Sequence, residues 1–212
     1  MSSEGPAEHR GPHPQSGSRV FLNVPFDKTY EPVFIGLVGA LVHLGKRPTT
    51  VLDLGGSLAP RMDRLISAIR DNAFSVHDLT RVELSGTGAA AVPRFNMPFE
   101  LGLAVAVSLI DRRQPRHSFV LLESKRFRLQ RSLSDMNGYD PFIHNGTQGG
   151  AVRAMVEAFS EAGAEDMGAA RRLVRRLGQV AERLKRTHRV RTVFNRTICG
   201  ELIDAATRLR DQ

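Results

Sequence analysis

The chain contains little cysteine and no tryptophan. Among its 212 residues there is one cysteine, Cys199. A single cysteine cannot form an internal disulfide and excludes a zinc site built from cysteines, which indicates a reducing compartment. We expect Cys199 itself to be a small buried side chain in the last helix.

Long apolar runs are also missing. No segment reaches the roughly 18 consecutive apolar residues that a transmembrane helix needs, and the N-terminal segment MSSEGPAEHRGPHPQSGS has no apolar signal region. Hydrophobic residues make up 41% of the chain and charged residues 25%, which is typical of a globular protein. We therefore expect a cytoplasmic protein with no membrane contact and a disordered leader over residues 1–18.

Several catalytic motifs are absent. There is no Gly-x-Ser-x-Gly sequence and no cysteine paired with histidine, so hydrolases of the triad type are disfavoured. The Gly-rich phosphate fingerprint of dinucleotide-binding Rossmann enzymes is missing too. The histidines and acidic residues share no metal-binding spacing, and we expect no bound metal.

Positive charge is concentrated near the C-terminus. Residues 171–192 hold nine lysines or arginines against one acidic residue, a surplus equal to the net charge of +8 of the whole chain. An amphipathic pattern predicts a helix over 167–187 with arginines opposite its apolar face. These cations are either a solvated face or a surface for weak contact with nucleic acid or an acidic partner. The residues concerned are Arg171, Arg172, Arg175, Arg176, Arg183, Lys185 and Arg186.

Short apolar runs alternate with helical patterns over residues 19–160. We predict strands over 19–24, 47–54, 73–80 and 117–124 and helices over 31–44, 59–72, 97–110 and 151–163. This alternation predicts an α/β fold of the flavodoxin-like or Rossmann-like class, a parallel sheet with helices on both faces. Residues 161–212 are expected to form a basic helical extension, with a last helix over 192–211.

Polar residues follow the predicted strands. Ligands of such sheets bind beyond the carboxyl ends of the strands, where we expect these groups to converge on one rim. They are residues 23–27, Asp53, His77, Asp78, Thr80 and Glu100.

Glu100 lies in the otherwise apolar run MPFELGLAVAVSLI. A carboxylate is costly to desolvate unless it is paired or used, and a helix that is apolar all round should be covered by protein on both faces. We expect Glu100 in the first turn of this helix, with Asn96 as a candidate cap. It is either stabilised there by the helix dipole or placed at the rim for function.

The other polar candidates each have a structural interpretation beside the functional one. Asp78 is a candidate to cap the turn after its strand, and His77 to pack beneath a helix. Asp135 and Asp140 lie in a long polar loop with His144. They are typical of turns, and alternatively they close over a bound nucleotide.

SVHDLT, followed by a variable loop and RFNMPFELGLAVA, resembles the signature of a superfamily. It joins nucleoside 2-deoxyribosyltransferase-like proteins with TIR (Toll/interleukin-1 receptor) domains, particularly bacterial TIR-like proteins of antiviral defence systems. The Glu-x-Gly-x-Ala pattern of that superfamily stands intact at Glu100, Gly102 and Ala104. The opening VFLNVPFD resembles the family's first strand and its phosphate or ribose loop.

The resemblance implies chemistry at the N-glycosidic bond of NAD or a nucleotide, bound as substrate or ligand with no separate cofactor. It implies that Glu100 stabilises or captures a ribosyl cation. Asp78 would orient a ribose hydroxyl or the base, with His77 beside it. The same pocket would be lined by Asn23, Pro25, Phe26 and Asn96. Since tryptophan is absent, Phe95 or Phe99 would stack on the ligand.

Three classes of function remain open at this point. The first is an N-glycosidase, an NAD glycohydrolase or a deoxyribosyltransferase-like enzyme. The second is a nucleotide-sensing module without catalysis that controls a partner. The third is nucleic-acid binding through the basic helix. TIR-like relatives often self-associate, which implies a homo-oligomer.

Overall fold

The computed structural model describes residues 18–53, 60–82, 84–85, 92–93, 95–111, 116–160 and 167–212. Its strands are β1 (Arg19–Asn23), β2 (Arg47–Thr50), β3 (Phe74–Asp78), β4 (Leu84–Ser85), β5 (Val92–Pro93), β6 (Ser118–Glu123) and β7 (Phe142–Ile143). Its helices are α1 (Glu31–His43), α2 (Arg61–Arg70), α3 (Asn96–Ile110), α4 (Leu129–Ser132), α5 (Gln148–Phe159), α6 (Met167–Thr187) and α7 (Arg196–Arg210).

Five strands form one parallel sheet in the order β2-β1-β3-β6-β7. At its centre Leu22 of β1 pairs with Thr50 of β2 on one side and with Val76 of β3 on the other. β4 and β5 form a separate antiparallel hairpin. The order is that of flavodoxin-like sheets, and the chain changes its direction of travel across the sheet between β1 and β3. The α/β fold predicted from the alternation of elements is confirmed.

Alternate side chains of β1 divide the core into two layers. Phe21 packs with Leu65 and Ile69 of α2 and with Ala104 of α3. Its neighbours Val20 and Leu22 face the opposite side, in the larger core cluster that includes α1 and α5. Because successive side chains of a strand point to opposite faces, the apolar run VFL supplies both layers.

Helix α1 is the most deeply buried helix on its side of the sheet. Eleven of its 13 residues are buried, so protein must cover it on every side. The sheet lies beneath it, and α5, α6 and α7 pack around it. Leu173, Val174 and Leu177 of α6 belong to the same core cluster as α1. The described part of 161–212 therefore shares its core with the sheet domain.

Polar contacts join the C-terminal segment to the start of α1. The buried carboxylate of Glu31 accepts hydrogen bonds from the Lys185 ammonium and, at 3.0 Å, from the backbone N–H of Val193. Phe194 lies with its ring centroid 5.2 Å from the rings of both Phe26 and Phe34. Cys199 is fully buried in α7, as predicted.

The predicted boundaries differ from the structure in a few places. The predicted helix over 167–187 matches α6, whereas the second strand ends at Thr50 instead of residue 54. Val51–Asp53 form a 3-10 turn there, and Asp53 Oδ2 accepts a hydrogen bond from the Thr50 N–H at 2.6 Å. β7 was not predicted. Of the expected disordered leader, residues 1–17 lie outside the described residues.

Helix α3 corrects one expectation. Although it is apolar along its length, it is covered on one face only, where Glu100, Leu101 and Ala104 are buried. Leu109 and Ile110 are 71% and 76% exposed. Among the described helices, none has the length and apolar character needed to cross a membrane.

We predict that Gly39→Ala destabilises the protein by about 1–3 kcal/mol, the usual cost of overpacking. A Cβ at Gly39 would lie 2.5 Å from Val174 Cγ2, so either the Val174 side chain or the two helices would have to shift. Gly178→Ala within α6 is the matched control, because a Cβ there meets nothing within 4 Å. It should stabilise by up to about 1 kcal/mol through helix propensity. Urea denaturation measures both, and equal free energies of unfolding would contradict the close packing of α6 on α1.

Candidate functional site

A cleft of about 480 Å³ opens where β1, β2 and β3 end. Its walls come from the loop after β1, the turn after β2, the exposed side of α2, the residue Arg81 after β3 and the start of α3. The lining residues are Asn23, Val24, Pro25, Phe26, Asp27, Val51, Leu52, Arg61, Arg64, Leu65, Arg81, Asn96, Met97 and Glu100. The volume is within the range of small-molecule sites, and the location is the one expected for a sheet of this topology.

Glu100 lines this cleft from the second turn of α3. The helix begins at Asn96, and Phe95 precedes it without a side-chain cap, so Asn96 is a lining residue of the first turn and does not cap it. Glu100 is 5% exposed. Burial raises the pKa of its carboxyl above the ordinary value, against the opposing effects of the Arg61 guanidinium and a hydrogen bond from the Asn23 amide.

The partner of Glu100 in an ion pair is Arg61 of α2. Arg61 Nη2 lies 3.4 Å from Glu100 Oε1, and the Arg61 side chain is 70% exposed. An ion pair with one solvated partner and a long contact contributes little to stability. An anionic ligand that enters the cleft can therefore compete for Arg61 and leave the Glu100 carboxylate facing the ligand.

Three arginines line the cleft, and the sequence analysis did not single them out. Arg81 is engaged by Asp27, with Nε to Oδ2 at 2.9 Å and Nη2 to Oδ1 at 3.1 Å. Burial opposes ionisation of Asp27, but its bonds to Arg81 and Thr29 lower the pKa of this carboxyl to about 2. Arg61 and Arg64 lie three residues apart on α2. That spacing places them on one helix face, and it was the signal available in the sequence.

His77 lies behind the cleft, fully buried in β3. Its Nδ1 is 3.0 Å from Asn23 Nδ2, so it contacts a lining residue without lining the cleft itself. Burial, together with the nearby His117, lowers the pKa of His77 to about 3. The ring is therefore neutral at neutral pH.

Asp78 is placed differently from what the resemblance implies. It is fully buried and does not line the cleft. Its carboxylate accepts hydrogen bonds from the Tyr30 hydroxyl, from the Thr80 N–H at 2.8 Å and from His144 Nε2 at 3.0 Å. Burial would raise the pKa of Asp78, yet the bonds from His144, Thr80 and Tyr30 outweigh it and the pKa is lowered. The turn-capping interpretation describes this environment better than ligand contact.

The remaining candidates lie outside the cleft. Phe95 and Phe99, near the start of α3, are 66% and 57% exposed and do not line the cleft. The residues of α3 that line it are Asn96, Met97 and Glu100. Asp135 and Asp140 are exposed in the loop before β7. His144 directly follows β7 and is fully buried: its Nδ1 accepts from the Gly146 N–H at 3.0 Å, and its Nε2 lies 3.0 Å from Asp78 Oδ2.

Most of the cations of α6 are exposed, and none of them lines the cleft. The exposed members are Arg171, Arg172, Arg175, Arg176, Arg183 and Arg186. Lys185 differs from them, because it is bound to Glu31 and to Glu182. Within the described part of the chain, no group of three or more histidine, cysteine or acidic residues is arranged to hold a metal ion.

Comparison with known proteins yields no relative: no protein-family model, no curated protein and no solved structure matches this chain. The interpretation of the cleft therefore depends on its own residues and on the short motif around Glu100.

We predict that Asp78→Asn destabilises the protein by about 2–4 kcal/mol. The NH2 group of the asparagine would replace one acceptor oxygen and would face the buried donors that now bond to Asp78. Ionised Asp78 has a lowered pKa, so its contribution is present above about pH 4 and is lost as the pH falls through the folded-state pKa. Asp135→Asn, on an exposed residue, is the control. Urea denaturation at several pH values measures both, and a cost below about 0.5 kcal/mol for Asp78→Asn would contradict the assigned network.

Proposed function

We propose that the protein is an enzyme acting at the N-glycosidic bond of a phosphorylated ribosyl compound, with NAD as the favoured substrate class. The observation that carries the proposal is the buried Glu100 carboxylate, which lines a ligand-sized cleft together with Asn23. The intact Glu-x-Gly-x-Ala pattern around it supports the same chemistry.

Glu100 would act on the sugar. When the bond between C1′ and the base nitrogen breaks, the bonding electron pair leaves with the base and positive charge develops on the ribose ring. An ionised carboxylate beside C1′ stabilises that charge or attacks C1′ to form a glycosyl ester. Water or another acceptor nucleophile then takes the ribosyl group and releases a proton. The Asn23 amide supports this role, because it lowers the pKa of the Glu100 carboxyl and so favours its ionised form.

The acidic residues of the cleft favour a leaving group that needs no proton. Among the described lining residues the carboxylates are Asp27 and Glu100, and Asp27 is engaged by Arg81. Glycosidases that must protonate their leaving group use a second carboxyl as the acid. The nicotinamide of NAD is already cationic and departs as a neutral base, so it requires no general acid. A cleft whose described lining has Glu100 as its one carboxylate apart from the Arg81-bound Asp27 suits this substrate.

The arginines favour a substrate that carries phosphate. Arg61 and Arg64 face the cleft from α2, and the charge of Arg81 is balanced by Asp27. Guanidinium groups bind phosphate through paired, charge-assisted hydrogen bonds. We therefore assign Arg61 and Arg64 to the phosphates and the start of α3 to the ribose.

Nucleotide binding without turnover is the second candidate function. It is favoured by the contact of Arg61 with Glu100, which in the free protein holds a cation where the ribosyl cation would develop. A nucleotide that raises the melting temperature and is recovered intact would support this candidate over the enzyme.

Glu100→Gln should reduce turnover by about a hundredfold or more, because it keeps the shape of the side chain and removes the charge. The protein is incubated with NAD, NADP, nucleosides and nucleotides, and mass spectrometry reports released base. Glu157→Gln on the surface of α5 is the matched control and should have no effect. Equal turnover by wild type and Glu100→Gln would refute the proposed role.

The pH dependence gives a second check on the same residue. Because the pKa of Glu100 is raised, its carboxylate forms at a higher pH than that of an ordinary glutamate. The rate should therefore rise with pH around a midpoint above about 4.3, the ordinary glutamate value.

Ribose 5-phosphate should bind more tightly than ribose, and Arg61→Gln with Arg64→Gln should abolish the difference. The reason is that the two guanidinium groups supply the phosphate contacts, each charge-assisted bond contributing about 1.5–3 kcal/mol. Calorimetric titration measures binding of both sugars. Arg183→Gln with Arg186→Gln on the exposed face of α6 controls for the loss of two positive charges. If the two sugars bind alike to the wild type, phosphate is not recognised here and an unphosphorylated nucleoside becomes the better substrate.

A further inference from the structure

A continuous row of buried hydrogen bonds runs along β3, from the cleft at the carboxyl ends of the strands to the amino ends of β3 and β6. Asn23 Nδ2 lies 3.0 Å from His77 Nδ1, and His77 Nε2 lies 2.8 Å from Ser75 Oγ. Ser75 Oγ lies 2.8 Å from His117 Nε2, and His117 Nδ1 lies 2.9 Å from the carbonyl oxygen of Asn72. All five residues are buried, with His117 the most exposed at 6%.

The direction of this row follows from its far end. The carbonyl of Asn72 can only accept, so His117 must carry its proton on Nδ1. Neutral His117 then accepts at Nε2, and the single hydroxyl proton of Ser75 must point to it. Ser75 Oγ in turn accepts from His77.

The same logic continues to the cleft. His77 carries its proton on Nε2, which leaves Nδ1 bare and able only to accept from the Asn23 amide nitrogen. The reverse direction would require a charged imidazolium at buried His117, which burial opposes. The direction of the hydrogen bonds thus determines the orientation of the Asn23 amide: its nitrogen, and not its oxygen, faces His77 Nδ1.

The orientation of Asn23 matters because of Glu100. Asn23 and Glu100 line the same cleft, and the Asn23 amide favours the ionised form of the Glu100 carboxyl by lowering its pKa. If the amide were turned over, its oxygen would face His77 Nδ1 and two acceptors would meet.

We infer that Ser75 and His117 are positioning residues of the cleft, which fix the tautomer of His77 and through it orient the Asn23 amide in the cleft that Glu100 also lines. Neither residue lines the cleft, so both act through Asn23. The geometric inference stands by itself, and only its catalytic consequence depends on the proposed function.

The direct test is nuclear magnetic resonance of the wild-type protein labelled with ¹⁵N-histidine. We expect His77 to carry its proton on Nε2 and His117 on Nδ1. His77 protonated on Nδ1 would overturn the inference, and this outcome needs no variant that might fail to fold.

Ser75→Ala removes the central link. The His77 tautomer should lose its single preference, and the titration midpoint of Glu100, followed with ¹³C-labelled glutamate, should rise because the amide donor is no longer held. Thr49→Val is the control, since it removes a neighbouring hydroxyl that bonds to Asn72 Oδ1 outside the row. An unchanged tautomer and an unchanged Glu100 midpoint in folded Ser75→Ala would contradict a positioning role.

Turnover separates this inference from the proposed function. If Glu100 is catalytic, Ser75→Ala should lower kcat on the order of tenfold with little change in KM. Losses of about this size follow when a residue that orients a functional side chain through a hydrogen bond is removed. Ser75→Thr, which keeps the hydroxyl, should recover most of kcat. If Glu100→Gln leaves turnover unchanged, the proposed function fails while the tautomers and the Glu100 midpoint still test the row. An effect on KM alone would contradict the assigned mode of action.

Discussion

The buried carboxylate of Asp78 is the constraint on which the cleft depends. It joins three parts of the chain: the hydroxyl of Tyr30 at the start of α1, the turn at Thr80, and His144 before α5. A buried charge is tolerated only when such donors surround it, so the three segments are held together at the end of β3. The loop over residues 24–27, which ends next to Tyr30, is thereby held against the sheet. The anchor thereby supports the wall of the cleft that this loop forms.

The arrangement of the sheet could be predicted well from the sequence, because buried parallel strands and their helices leave strong apolar patterns. The positions of Glu100 and Asn23 at one rim followed from topology alone, since the carboxyl ends of parallel strands lie at one edge. β7 was missed because two residues are too short to show a period, and its pairing with Glu123 depends on tertiary contacts.

Side-chain direction was harder to predict. Asp78 follows the same rim rule as Asn23, yet it turns inward, because Tyr30 and His144 offer donors from segments 48 and 66 residues away in sequence. Arg61 and Arg64 were not predicted to be site residues, because nothing in their own segment distinguishes them from solvent-exposed charges. Charged residues on a helix are usually solvated, and only the neighbouring α3 shows that this face borders a cleft.

The apolar character of α1 explains why the C-terminal helices belong to the fold. A helix buried on every side needs more cover than a sheet and one neighbour provide, and the apolar stripe of α6 supplies it. The contact also reaches the cleft, because Phe194 between α6 and α7 packs on Phe26, a lining residue. The basic helices thus support the wall of the cleft from behind.

The row of hydrogen bonds behind Asn23 ends on a backbone carbonyl, which has no proton to supply. Each side chain of the row already carries its proton at the one atom where the row allows it. The row therefore cannot conduct a proton to or from the cleft. Glu100 can therefore exchange a proton only with what occupies the cleft, either solvent or the bound molecule itself. When a ligand displaces the water, the ligand itself becomes the partner with which Glu100 exchanges a proton.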